Sequence, residues 1–239
     1  MEQYDSKSKV YSDFVEFDPC KRFVQYPEAI RLLGNLKNKR VLDVGCGSGF
    51  LTREIAQSGA KVVAYDVSEK QIELAIKVGG QNIKYLVADP VNIEKKLGDS
   101  SLFDKAISNL VLHYAKDKNH LIKFFSSTFN LLKEKGVFVA IFTNPNYNKL
   151  GKKIYNRYFE ETKSGMKADF LDNSGKTLMT IYFSNFTKKD YEDAAKKAGF
   201  KYIKWEKIRV SKQGIKELGK YWKDFENDCP YVGLICKKT

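Results

Sequence analysis

Histidine is close to absent. The 239 residues hold two, His113 and His120, and four cysteines, Cys20, Cys46, Cys229 and Cys236, none of them in a CxxC pair. A zinc site draws on clustered His and Cys ligands, so this set predicts no metal. The cysteines read as reduced thiols of a cytoplasmic protein. Long apolar runs are missing too. Nothing reaches the ~20 residues of a membrane span, and the opening "MEQYDSKSKVYSDF" has no apolar signal-peptide core. The expectation is a cytoplasmic chain with no membrane partner. No internal repeat or low-complexity linker breaks it up.

Acidic residues are in deficit: 29 Asp and Glu face 42 Lys and Arg, for a net charge of +13. That balance admits nucleic acid as a partner. The lysines, however, stand singly or in pairs, without the interleaved aromatics of a stacking platform. Scattered lysine is the pattern of a solvated surface, so nucleic acid is not the favoured partner.

Apolar residues make up 43% of the chain, enough to bury the core of one α/β domain with a small appendage. Strand patterns fall at 40–45, 60–66, 83–89, 103–109 and 136–142. Helical patterns lie between them. One spans 49–59, one opens at Ser68 with Gln71 completing a capping box, and one, "HLIKFFSSTFNLLKEKG", is ended by Gly136. This alternation predicts a parallel sheet with helices on both faces. Beyond residue 143 the pattern changes. "NPNYNKLGKKIYNRYFEETKSG" reads as loop plus a short helix, and "MKADFLDNSGKTLMTIYF" as two strands around "NSGK". A helix over 187–200, capped by Thr187 with Asp190 and closed by Gly199, precedes two last strands. Residues 1–239 are read as one domain, with 1–34 as a helical cap. Residues 144–186 are read as an inserted hairpin lid, too short for a core of its own.

"VLDVGCGSGF", residues 41–50, sits where an open α/β sheet binds ligands, at the carboxyl end of a strand. A phosphate-binding P-loop would need a Lys after its last glycine, but Phe50 and Leu51 follow Gly49. A dinucleotide turn needs GxGxxG, and this one is GxGxG. Asp43 before the turn would repel a pyrophosphate and suits a cation, such as a sulfonium with an ammonium. Asp66 closes the second strand about 20 residues on, where an acid accepts from ribose hydroxyls. Asp89 closes the third, within reach of an adenine amine. Each aspartate alone could be a helix cap; three at successive strand ends beside this turn are hard to explain by capping.

These residues resemble the class I S-adenosylmethionine-dependent methyltransferases over roughly residues 35–145. "LDVGCGSG" is similar to the family's first motif, "VVAYDVS" to its second, "VADP" to its third and "FDKAISNLVLHY" to its fourth. The resemblance implies a Rossmann-like sheet of order 3-2-1-4-5-7-6 with strand 7 antiparallel. It implies S-adenosylmethionine as cofactor and S-adenosylhomocysteine as product. The cofactor set it implies is Tyr11, Asp43, Gly45, Cys46, Gly47, Asp66, Val67, Gln71, Ala88, Asp89, Asn109 and Leu110. Within it, Asp66 holds the ribose, Val67 flanks the adenine and the backbone at Asn109 and Leu110 faces the methionine part. The whole-chain layout resembles small-molecule enzymes of this class, in particular toxoflavin-type azaheterocycle N-methyltransferases. That implies a ring nitrogen or oxygen as acceptor.

"NPNY" at 144–147 is similar to the NPPY motif of amino-methylating enzymes but follows the fifth strand rather than the fourth, so it reads as a turn. His113 and Tyr114 lie just past Asn109, where an acceptor would sit. Either is a candidate catalytic residue, His113 as a proton acceptor or as a packing residue. Methyl transfer is an in-line displacement that rests on alignment and exclusion of water. The acceptor pocket must therefore come from parts outside the sheet. Tyr4 and Tyr11 fall seven apart, on one face if helical. Tyr147, Tyr155, Tyr158, Phe159, Phe170 and Tyr182 are candidates for an aromatic lid. Three functions stay open: a small-molecule methyltransferase, one acting on RNA or protein, and a binding module that kept the fold without the chemistry.

Overall fold

The computed structural model describes residues 14, 17–98 and 102–239. Tyr4 and Tyr11 lie outside the described residues. β1 (Arg40–Val44), β2 (Lys61–Asp66), β3 (Ile83–Val87), β4 (Phe103–Asn109) and β5 (Leu132–Thr143) run parallel in one sheet, which β10 (Tyr202–Lys207) and β11 (Tyr231–Lys237) complete. The order is β3-β2-β1-β4-β5-β11-β10, with β11 antiparallel to both neighbours. Counting β10 and β11 as sixth and seventh, this is the expected topology. β1 is central, so the turn after it opens at the middle of the carboxyl edge, with β4 on one side and β2 on the other.

Alternation along the strands splits the core in two. Leu42 and Val44 face one layer with Ala106, Phe138 and Phe142, against α5 (Lys118–Leu131) and α6 (Lys188–Ala198). Val41, Ile107, Val139 and Ile141 face the other, with Leu51 and Ile55 of α2 (Phe50–Gln57) and Ala29 and Leu33 of α1 (Tyr26–Leu33). A buried side chain of this size contributes about 1.5–3 kcal/mol, so the sheet is fixed from both faces. α3 (Glu69–Val78) and α4 (Ile93–Leu97) follow β2 and β3. α7 (Lys212–Leu218) precedes β11.

Two local expectations are corrected. The helix before β5 ends at Leu131 rather than at Gly136. Leu132 is already extended (ψ 140°), and the left-handed turn is taken by Lys135 (φ 62°) inside an irregular stretch of β5. The expected short helix in 144–164 is instead β6 (Lys153–Ile154) and β7 (Arg157–Thr162). With β8 (Gly165–Leu171) and β9 (Thr177–Phe183) they make a second, antiparallel sheet of order β6-β7-β8-β9.

That second sheet carries an apolar cluster. Phe159, Met166, Ala168, Phe170, Met179, Ile181 and Phe183 pack together with Tyr147. Phe14 and Tyr114 from the main body close the cluster, so the insertion borrows the rest of its core. Three polar ties hold the sheet over the carboxyl edge. Ser184 Oγ donates to Ala115 O at 2.7 Å, Ser184 N donates to His113 O at 2.9 Å, and Arg157 pairs with Asp18 out of contact with water.

Candidate functional site

The glycine turn is shaped by crowding. Gly45 has φ 74°, and a Cβ there would stand 2.4 Å from Val111 Cγ2. Gly49 has φ 78°, and a Cβ there would stand 2.5 Å from the Tyr85 hydroxyl. Only glycine combines that dihedral with that approach. Gly47 N donates to Asp66 Oδ2 at 2.9 Å, and Ser68 N donates to Asp66 Oδ1 at 3.0 Å. The acid of the second strand thus anchors the turn of the first.

Beside this turn opens a cleft of about 700 Å³. Gly45, Gly47, Asp66, Val67, Gln71, Asp89, Asn109, Leu110 and Tyr114 all line it, so nine of the residues singled out in sequence converge on one space. Gln71 needs comment. Its backbone N donates to Ser68 Oγ at 3.2 Å, as a capping box requires, but the reciprocal side-chain bond is missing. Gln71 is 2% exposed, and among the described residues neither its amide nitrogen nor its oxygen has a partner. A buried amide with nothing to bond costs stability, which a polar ligand in the cleft would relieve. Asn109 repeats the pattern: Nδ2 donates to Gln25 Oε1 at 3.4 Å, while its buried Oδ1 has no partner among the described residues. Leu110 holds φ 59°, a costly conformation for a leucine. Its N–H donates to Ile141 O at 2.7 Å, which turns the chain sharply at the cleft wall. Asp89 Oδ1 accepts from Val91 N and Asn92 N, so it also shapes the loop after β3.

Other expected residues lie outside the lining. Asp43 is 2% exposed under the turn, accepting from Thr52 Oγ1 at 2.6 Å. Burial above all, and Asp66 nearby, push its carboxyl up to about 7, against the Thr52 bond. It is thus not a fully ionised counter-charge at neutral pH. Ala88 is buried, its N–H donating to Asp66 O, and Cys46 is half-buried beside the turn. His113 is buried between the rings of Tyr114 (4.5 Å) and Phe183 (4.6 Å). Burial first, then Lys21, lowers it to about 3. His113 is not part of the cleft lining, and a ring held at so low a pKa is only weakly basic at neutral pH.

The aromatic lid is also revised. Tyr147, Tyr155, Phe159 and Phe170 are in the core and Tyr158 sits under Lys167, whereas Tyr182 reaches the cleft. The second sheet lines the cleft through Thr162, Ser164, Met166 and Phe183. "NPNY" forms a turn, with Asn146 N donating to Asn144 Oδ1. Sequence reasoning missed one wall altogether: Lys116, Asn119, His120, Lys123 and Phe124 at the start of α5. The 3- and 4-residue spacing of Asn119, His120, Lys123 and Phe124 marks one helix face, with Lys116 just before the cap, but the apolar face of the same helix dominated the reading. Among the described residues, no group of three His, Cys, Asp or Glu side chains could hold a metal, and no helix is long and apolar enough to cross a membrane.

Comparison with known proteins adds an independent line. A family profile described as a methyltransferase domain matches residues 20–204. A ubiquinone biosynthesis O-methyltransferase of Pelagibacter ubique is 37% identical over 109 residues, covering 44% of this chain and 42% of that protein. Phosphoethanolamine N-methyltransferase 1 of Arabidopsis thaliana is 35% identical over 94 residues, 38% of this chain and 19% of that one. The chain thus spans less than half of either relative. Among solved structures, an S-adenosylmethionine-dependent methyltransferase from Mesorhizobium loti superposes with TM-score 0.65 at 22% identity, over 93% of this chain and 99% of the other. A Burkholderia thailandensis 1,6-didemethyltoxoflavin-N1-methyltransferase, with 1,6-didemethyltoxoflavin and S-adenosylhomocysteine bound, gives 0.61 at 18% identity, over 100% and 86%. At these identities the superpositions speak for the fold.

Proposed function

We propose, on the premise that this chain belongs to the methyltransferase domain family and is a class I S-adenosylmethionine-dependent enzyme, that it methylates a nitrogen or oxygen of a small molecule. The observation that carries this is the convergence of the glycine turn, Asp66, Gln71 and Asn109 on one cleft whose far wall is the second sheet. The residues fit the cofactor by their chemistry. Asp66 would accept from ribose hydroxyls and Asp89 from the adenine amine. Val67 would flank the base, and Gln71 and Asn109 offer buried amide atoms that lack partners among the described residues. Gly45 and Gly47 leave room for the methionine part along the backbone.

S-adenosylmethionine, when bound, supplies a sulfonium methyl carbon, to which the acceptor atom bonds as the C–S electron pair stays on sulfur, giving S-adenosylhomocysteine. The chain's own part is to align and to keep water out. Tyr114, Met166 and Phe183 form apolar walls there, and Ser184 ties the second sheet down beside them. Tyr114 keeps its place as a candidate for touching the acceptor. No dedicated base is required when the acceptor is itself nucleophilic, and its proton passes to solvent. The small-molecule assignment draws support from the aromatic side chains that wall the cleft and from what the relatives are named for. A screen with methyl-labelled S-adenosylmethionine over heterocycles, phenols, amines and total RNA tests it. Label in a small molecule is expected. Label in RNA alone, or in nothing while known methyltransferases label the same panel, would overturn it.

A further inference from the structure

Beyond the cofactor half, the cleft wall at the start of α5 carries two exposed lysines. Lys116 and Lys123 both line the cleft, and among the described residues neither makes an ion pair. Neighbouring lysines behave differently: Lys118 pairs with Asp190 at 2.6 Å, and Lys167 pairs with Asp169 at 3.2 Å. The acids of the same lining are engaged by backbone. Asp66 accepts from Gly47 N and Ser68 N, Asp89 from Val91 N and Asn92 N, and Asp117 caps α5 by accepting from His120 N at 2.7 Å.

Local geometry places the two lysines on one wall. Lys116 N donates to His120 Nδ1 at 3.2 Å, which folds the residue before the cap against the first turn of α5. Lys123 follows His120 by three residues on the same face. Because His120 Nδ1 accepts there, its neutral ring carries the proton on Nε2 and is a donor at that atom. Burial, the largest influence on it, lowers its pKa and favours that neutral form. The His120 ring lies 5.1 Å from that of Phe124, which adds an apolar surface beside the charges. Tyr182 and Phe183 supply aromatic surface on the facing sheet.

We propose that the methyl acceptor is a flat, apolar body carrying a carboxylate or phosphate, and that Lys116 and Lys123 receive that anion. The inference rests on the reading of this cleft as the methyltransferase site and specifies its substrate class. The two lysines act by binding and orientation, which fixes the nucleophile relative to the cofactor half of the cleft.

The test uses the full chain with S-adenosylhomocysteine bound, at constant ionic strength because such contacts are screened by salt. Benzoate, phenyl phosphate and benzyl alcohol are titrated by calorimetry or by ligand-observed NMR. At least one anion is expected to bind about tenfold or more tightly than the alcohol, the order expected for charge-assisted contacts. The tighter of the two identifies the group. K116Q/K123Q is expected to erase that preference, and K116R/K123R to restore it, with S-adenosylhomocysteine affinity within about twofold in both. Equal binding of all three probes, or a preference that survives K116Q/K123Q, overturns the inference and leaves the cofactor reading intact. Failure of S-adenosylhomocysteine to bind overturns the cofactor reading, while the anion preference is still measured on the free chain.

Discussion

Arg157 and Asp18 form an ion pair with side chains only 2% and 0% exposed, joining the second sheet to the segment that precedes α1. Arg157 Nη1 donates to Asp18 Oδ1 at 3.1 Å and to Tyr155 O at 2.9 Å, so the guanidinium is held on two sides. The rings of Phe14, Phe170 and Tyr231 surround it at 5.4–5.8 Å. Removing one partner strands a charge in this setting, at a cost of about 3–5 kcal/mol. Asp18→Asn and Arg157→Met should each lower unfolding free energy by about that much in denaturant titration. Asp18→Leu with Arg157→Met should recover much of it. Single losses under about 1 kcal/mol would contradict the pair's buried status.

Gly45 and Gly175 both have positive φ, 74° and 84°, yet only Gly45 is crowded; nothing lies within 4 Å of a Cβ at Gly175. Gly175→Ala should cost only the backbone strain, about 1 kcal/mol. Gly45→Ala must also displace Val111, and should cost more and abolish S-adenosylmethionine binding. Equal melting temperatures and equal cofactor affinity in the two variants would refute the close-approach argument.

Asp43 and His113 pull the pH dependence of stability in opposite directions. Asp43, raised to about 7, binds more protons folded than unfolded between roughly pH 4 and 7, so its contribution falls as pH rises through that window. His113, lowered to about 3, binds fewer when folded, so its contribution falls as pH drops below about 6.5. The wild-type curve therefore hides both. Asp43→Asn keeps an acceptor for Thr52 Oγ1, and its stability relative to wild type should climb from pH 4.5 to 7.5, by up to about 3 kcal/mol. A flat difference would mean Asp43 is ionised throughout.

His113 packing makes a separate claim. Its imidazole signals in NMR should not titrate between pH 5 and 8, and His113→Phe should leave turnover within a few-fold of wild type. A titration near 6.5, or turnover lost without loss of stability, would restore it as a proton acceptor.

Most of the sheet was legible because its signals are local. "FDKAISN" is β4 residue for residue, and the Thr187–Asp190 capping box and left-handed Gly199 bound α6 as read. β7 was missed because its aromatic residues find their register only against β8, a partner supplied by the fold. The half of the cleft beside the glycine turn was legible for the same reason as the strands: its residues sit at strand ends, where chain position fixes spatial position. The far half was not. Lys116, His120 and Lys123 look like an ordinary solvated helix start until the second sheet comes down across them, and that placement depends on long-range ties such as Arg157–Asp18. Sequence gives the nearness of His113 to Asn109 but not which way its ring turns, which is between Tyr114 and Phe183.

Calorimetric titration of S-adenosylmethionine into the wild-type chain and Asp66→Ala tests the central claim most directly. Asp66 is asked both to hold Gly47 and to accept from the ribose, and hydrogen bonds to a charged group are worth about 1.5–3 kcal/mol. The account predicts micromolar affinity in the wild type, and a loss of about 10- to 100-fold in Asp66→Ala with the fold retained. Absence of binding to the wild type, or an affinity unchanged by Asp66→Ala, would contradict it.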